Sequence, residues 1–180
     1  MSLAYVILGL LQQQERTGYD LKSECFDDCI AHLWPADLAQ IYRTLDKIEV
    51  QGWITCTVEV QYDRPNRKVY RITPTGEEEL NQWLRTHQPL PIWREPLLVQ
   101  LYFAAQLPNE AIIRLLEQEM EARRKKLDEC KAHDINSSND PKVSREEFLQ
   151  QLVLELVTRR EQTYLDWLDE AIEIVRIQPE

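Results

Sequence analysis

Gln40, Arg43 and Lys47 stand at steps of three and four inside Pro35–Glu49, where Leu38, Ile41, Leu45 and Ile48 also recur at steps of three, four and three. At about 100° per residue both sets are helical stripes, and they fall on opposite faces, with Ala36 placed on the polar one. An amide can pair with an adenine edge, a guanidinium with a guanine edge or a phosphate, and an ammonium with a phosphate. Tyr42 and Thr44 flank the stripe within reach of phosphates. Most amphipathic helices own a polar face, so this stripe gains weight only from a second cluster. Residues 63–71 read Asp-Arg-Pro-Asn-Arg-Lys-Val-Tyr-Arg, four cations against one anion, with Arg64, Arg67 and Lys68 grouped at a turn. A basic tip on a two-stranded ribbon suits contact with a nucleic-acid backbone or minor groove.

Other constellations are weaker. Cys25, Cys29 and His32 stand at i, i+4 and i+7, and Cys130 and His133 at i, i+3. Soft ligands so spaced can share a helix face, but no fourth ligand is placed, so buried, reduced thiols are the expectation, with no metal and no cofactor. Four glycines in the chain provide no phosphate-cradling loop, and no Ser/His/Asp arrangement can be placed. Glu77, Glu78 and Glu79 read as helix-start charges rather than an acid–base pair. The chain is not expected to be an enzyme.

The elements that position these residues follow from pattern. Residues 3–13 form an apolar helix, and Thr17 can cap a second across Tyr19–Cys29. The third helix carries the polar stripe and ends at Gln51-Gly52. Residues 53–60 are aromatic and β-branched and suit a strand; 61–67 are a loop and 69–73 the return strand. Thr75 opens a fourth helix. This order is that of a winged helix-turn-helix over residues 1–88. Pro89, Pro91 and Pro96 make 89–95 a stiff linker. Residues 96–180 read as helical, with helices at 96–106, 109–133 and 144–176, the last opened by a Ser144/Glu147 capping box. Its stripe of Leu149, Leu152, Leu156, Tyr164, Leu168, Ile172 and Val175 is widened by Phe148, Val153, Val157, Leu165 and Trp167. That needs more partner surface than one neighbouring helix offers, and a second copy is the simplest supply. The fold class is therefore mainly α: a winged helix-turn-helix with a two-stranded β wing, plus a C-terminal helical dimerisation domain.

Composition bounds this reading. The chain has 180 residues, 43% of them hydrophobic, and a formal net charge of −10. The longest apolar run, Leu3–Leu11, is far short of the roughly 20 residues a bilayer demands, and no basic segment precedes it as in an export signal. A cytoplasmic chain with reduced cysteines is expected. The total charge counts against a nucleic-acid partner. Yet both halves carry the deficit, with nine Lys and Arg against thirteen Asp and Glu in 1–90 and twelve against eighteen in 91–180. Acidity lies on helix starts and dimer helices, where it would repel DNA and limit non-specific binding. Two functions remain open: a sequence-specific DNA-binding transcriptional regulator, and a winged-helix module that binds only proteins.

Specific stretches resemble the PadR-type transcriptional regulators. They are Leu3–Leu11, Thr17-Gly-Tyr-Asp-Leu21, Trp34 ahead of Gln40–Leu45, Gly52-Trp-Ile54, and Arg64–Gly76. The resemblance is strong over 1–85 and looser beyond, where length and helix order are similar to the family's longer branch. It implies a homodimeric winged-helix repressor or activator, with repressor the first expectation; the pairing of helix and wing in turn predicts a dimer on pseudo-palindromic double-stranded DNA. It also implies that the first helix, with Leu3, Val6 and Leu10, packs on the partner's C-terminal helices. Gln40, Tyr42 and Arg43 match the recognition-helix segment, and Arg64, Arg67 and Lys68 the basic wing. Asp37 departs from the pattern, setting a carboxylate near the expected phosphates. The resemblance further implies a small aromatic effector. Trp34, Trp93 and Tyr102 are candidates to line its pocket, although core positions are the first expectation for all three.

Overall fold

The computed structural model describes residues 2–31, 33–60, 66–92, 94–132 and 144–179. Two compact units divide the chain, Met1–Leu90 and Pro91–Glu180.

The first unit runs α1 (Ser2–Gln13), β1 (Arg16–Thr17), α2 (Gly18–Asp20, continued in wider π winding through Leu21–Cys29), α3 (Leu38–Val50), β2 (Ile54–Glu59), β3 (Arg67–Ile72) and α4 (Pro74–Arg85). The two-stranded wing expected from the sequence is the β2–β3 hairpin, and the sheet it belongs to has one strand more. β1 adds a third antiparallel strand in the order β1-β3-β2, with Arg16 opposite Tyr70 and Thr17 opposite Val69. A two-residue strand carries no periodicity to read. In the main hairpin Ile54 faces Ile72, Cys56 faces Tyr70 and Glu59 faces Arg67.

Local chemistry fixes the helix ends. Thr17 accepts from the Asp20 amide and Asp20 from the Thr17 amide, a reciprocal capping box. Thr73 caps α4 with Pro74 in its first turn, and Gly52 beyond α3 takes φ 74°, the left-handed conformation glycine adopts without strain.

Ile7, Leu8, Leu21, Ile41, Leu45, Ile48, Ile54 and Tyr70 fill the core of this unit. Burial pushes the Tyr70 phenol well above its ordinary pKa. Tyr5 of α1 stacks on Trp83 of α4 at 4.9 Å and lies 6.0 Å from Trp53.

The second unit holds α5 (Pro96–Tyr102), a 3₁₀ turn (Ala104–Gln106), α6 (Asn109–Ala132) and α7 (Arg145–Ile177). Asn109 donates to the Gln178 carbonyl at 2.6 Å and Arg123 to Glu161 at 3.0 Å, so α6 and α7 run antiparallel. Ser144 and Glu147 form the expected capping box on α7. Leu97, Leu116, Met120, Leu127, Leu165, Leu168 and Ile172 make the core. Among the described residues no helix is long and apolar enough to cross a membrane.

A charged cluster is embedded beside that core. Glu161, only 5% exposed, accepts from Arg123 and, at 2.5 Å, from Lys126. Arg123 also reaches Glu95 at 3.1 Å and Glu119 at 2.7 Å, and its guanidinium lies 3.9 Å from the Tyr164 ring centroid. Burial alone would raise the Glu161 pKa, but hydrogen bonds from Lys126 and Arg123 bring it below the ordinary value. A carboxylate held low contributes stability at neutral pH and loses it as pH falls through its folded pKa. Glu161→Gln should therefore flatten the acid limb: from about pH 5 downward, melting temperature should fall less steeply than in wild type, read by circular dichroism melts.

Several expected positions differ. Leu10 is covered inside the first unit and Leu168 inside the second, so neither is left to face another copy. Leu3, Val6 and Tyr164 are half-buried against their own units. Trp34 and Tyr102, expected in cores, are exposed; Trp93 lies outside the described residues. The predicted stripe of α7 splits. Leu165, Leu168 and Ile172 pack on α6, whereas Leu149, Leu152 and Leu156 are 47%, 46% and 61% exposed.

Candidate nucleic-acid interface

The third helix positions its polar stripe as its spacing predicts. Ile41, Leu45 and Ile48 are buried, and Gln40, Tyr42, Arg43 and Lys47 are exposed. Leu38, at the end of the apolar stripe, stays 37% exposed. Ala36 is buried in the turn ahead of the helix rather than on the polar face. The helix starts at Leu38, two residues beyond Ala36, so helical geometry does not apply there.

Asp37 explains itself as the N-cap of α3. Its carboxylate accepts from the Gln40 amide at 2.7 Å, and the Gln40 side-chain oxygen accepts from the Asp37 amide at 3.0 Å. The residue that departs from the family pattern thus closes the first turn of this helix. The Asp-x-x-Gln spacing is a capping-box signal that could have found it. Arg43 Nε donates to the Ala39 carbonyl at 3.2 Å and Thr44 Oγ1 to the Gln40 carbonyl at 2.7 Å, so both side chains fold back along the helix.

Tyr42 is 38% exposed and its ring packs on the start of α2. A Cβ on Gly18 would sit 2.6 Å from its ring, so only glycine allows this approach. That close contact between the first and second helices of the helix-turn-helix had no readable signal beyond the glycine itself.

The described part of the wing is less basic in space than in sequence. Arg67 Nη2 lies 2.6 Å from Asp20, and Arg71 Nη2 lies 2.5 Å from Glu15. Arg16 joins Glu24 in the same way at 2.5 Å. These three pairs tie β1 and β3 to α2 and to Glu15 in the link between α1 and β1. Burial would raise the Asp20 pKa, but hydrogen bonds from Thr17 and Arg67 hold it below the ordinary range. The hydrogen bond to Asp20 in turn raises that of Arg67. Lys68 is exposed and has no ion pair among the described residues, while Arg64 lies outside them. No sequence rule links Asp20 to Arg67 across 47 residues or Glu15 to Arg71 across 56.

Cys25 and Cys130 are buried, and burial pushes the Cys130 thiol up. The Cys29 side chain, His32 and His133 lie outside the described residues.

The chain is similar to known proteins over nearly its whole length. The PadR-like family of transcriptional regulators matches residues 7–82, and the C-terminal domain of virulence activator alpha matches 93–176. The negative transcriptional regulator PadR of Bacillus subtilis is 31% identical over 177 residues, covering 96% of this chain and 97% of that protein. The crystal structure of Bacillus subtilis PadR with operator DNA superposes with a TM-score of 0.83 at 30% identity, over 97% of this chain and 99% of that one. Its complex with p-coumaric acid gives 0.80 at 29%, over 98% and 99%. With winged unit and helical unit both matched over nearly their whole length, this chain belongs to the PadR-like transcriptional regulators.

Proposed function

We propose that this regulator binds a pseudo-palindromic operator as a homodimer, through Gln40, Tyr42, Arg43 and Lys47 of α3 and Arg64, Arg67 and Lys68 of the wing. The observation that carries the reading is the exposed α3 stripe beside a sheet stapled to α2, in a chain 31% identical to a negative regulator solved on its operator. In this reading residues 1–88 contact DNA, 89–95 connect, and 96–180 dimerise. Leu149, Leu152 and Leu156 form the dimer face, and Leu3 and Val6 of α1 pack on the C-terminal helices of the partner. Two recognition helices about 34 Å apart enter successive major grooves and the wings hold the flanking backbone. The regulator represses, as its relative's name indicates for that protein, and it acts in the cytoplasm where its DNA lies. A small aromatic acid is the effector class, by likeness to the p-coumaric acid complex.

Selection of duplexes from a random library, followed by binding across a salt series, tests this. A duplex should be enriched and its affinity should fall linearly in log–log form with salt. Failure to shift any enriched duplex at ~50 mM salt would leave the protein-binding module as the reading.

Gly18→Ala checks the α2–α3 contact. The methyl group meets the far end of the Tyr42 ring, which can swing aside, so the melting temperature should change little. Displacing that phenol should weaken binding of the enriched duplex about tenfold, the size of one lost hydrogen bond to a phosphate.

A further inference from the structure

We propose that Asp20 and Glu15 are specificity determinants, positioning residues that hold the wing arginines back from random DNA. The proposal rests on the DNA-binding reading above. Asp20 is itself anchored: its carboxylate accepts from the Thr17 amide at 3.0 Å while its own amide donates to Thr17 Oγ1 at 3.0 Å. Its cap therefore fixes it at the mouth of α2, while Arg67, 47% exposed along its side chain, is open to a further partner from solvent. Glu59 stands opposite Arg67 on β2 and adds a further negative charge. Arg71 is doubly bonded to Glu15 through Nε at 3.0 Å and Nη2 at 2.5 Å.

The described part of the wing is thus close to neutral. Three cations, Arg67, Lys68 and Arg71, stand against three anions, Asp20, Glu59 and Glu15. A neutral surface gains little by counterion release, so random DNA meets a weak wing. On the operator, docking of α3 places the wing beside a phosphate at high effective concentration. A guanidinium has five donors, and Arg67 spends one of its amino groups on Asp20. The phosphate then joins or replaces the carboxylate only where α3 has already engaged. The two carboxylates convert general phosphate affinity into affinity conditional on the bases read by α3.

The test compares wild type, Asp20→Asn, Glu15→Gln and Arg67→Ala on two probes: a random-sequence duplex, and the duplex enriched by wild type. Asparagine keeps an acceptor for the Thr17 amide, and circular dichroism melts confirm the fold. On random duplex at ~0.1 M salt, Asp20→Asn should bind about five- to tenfold tighter, with a salt slope steeper by about one per protomer. Affinity for the enriched duplex should change about twofold or less, so the specificity ratio falls. Glu15→Gln should act in the same direction. In an Arg67→Ala background, Asp20→Asn should change neither affinity nor slope. Unchanged or weaker binding of random DNA by Asp20→Asn overturns the proposal, as does an effect that persists without Arg67. If wild type enriches no duplex, the DNA-binding reading itself fails, and this proposal with it.

Discussion

A glutamate at Leu152 should leave the chain monomeric at micromolar concentration and lower its affinity for the enriched duplex about a hundredfold or more. Leu149, Leu152 and Leu156 follow at steps of three and four on the N-terminal half of α7 and stay roughly half exposed, or more, within one chain. Phe148 and Val153 beside them are exposed as well. A continuous apolar face of this kind is covered when a second copy packs on it. In a two-fold interface one substitution acts twice, and each carboxylate would be buried without a partner. Because Leu152 touches little in its own chain, the α6–α7 hairpin should melt as before. Light scattering reads the mass and an electrophoretic shift the affinity. A Leu152→Glu protein that remains dimeric would move the dimer face away from this stripe.

Gly76→Ala should destabilise the winged unit by about 3 kcal/mol or more, at or beyond the upper end for overpacking. A Cβ at this position would lie 2.1 Å from the Trp53 carbonyl oxygen and 2.9 Å from Ile72 Cγ1. The obstacle is backbone, which has no rotamer to escape into. The surrounding bonds tighten the constraint: the Thr73 amide donates to the Trp53 carbonyl at 2.9 Å, and Thr73 Oγ1 to the Gly52 carbonyl at 2.7 Å. Thr73 also caps α4 by accepting from the Gly76 amide at 3.1 Å. Moving α4 away would strain all three and separate Trp83 from Tyr5. Urea titration followed by tryptophan fluorescence should show the midpoint fall. A midpoint shifted by less than ~1 kcal/mol equivalent would mean that α4 slides more freely than this bonding allows.

Legibility in the sequence followed the range of the interaction. The face of α3 could be read because Ile41, Leu45 and Ile48 repeat with the helix itself, and the caps Thr17 and Ser144 because their partners lie three residues on. Gly52 marked the end of α3 for the same local reason. The described part of the wing is less basic than its sequence, since Asp20 of α2 and Glu15 of the link after α1 pair with Arg67 and Arg71. The third strand β1 was missed because two residues carry no pattern. On α7, periodicity identified an apolar stripe but not which half α6 would cover, so Leu168 was assigned to a partner and is buried at home. Trp34 and Tyr102 were placed inside by residue type alone, and their surroundings left them exposed.

The division of the chain into two units, with the α3 stripe in one and the exposed half of α7 in the other, has a genetic consequence. In the dimeric reading, a copy disabled at Arg43 still pairs normally with an intact copy. Each such mixed pair holds one working half-site and loses the affinity that two would give together. Alleles that damage the α3 face should then behave as dominant when co-expressed with wild type, draining functional dimers into inactive ones. Alleles that damage the α7 face, such as Leu152→Glu, should be recessive, because their product never enters the partnership.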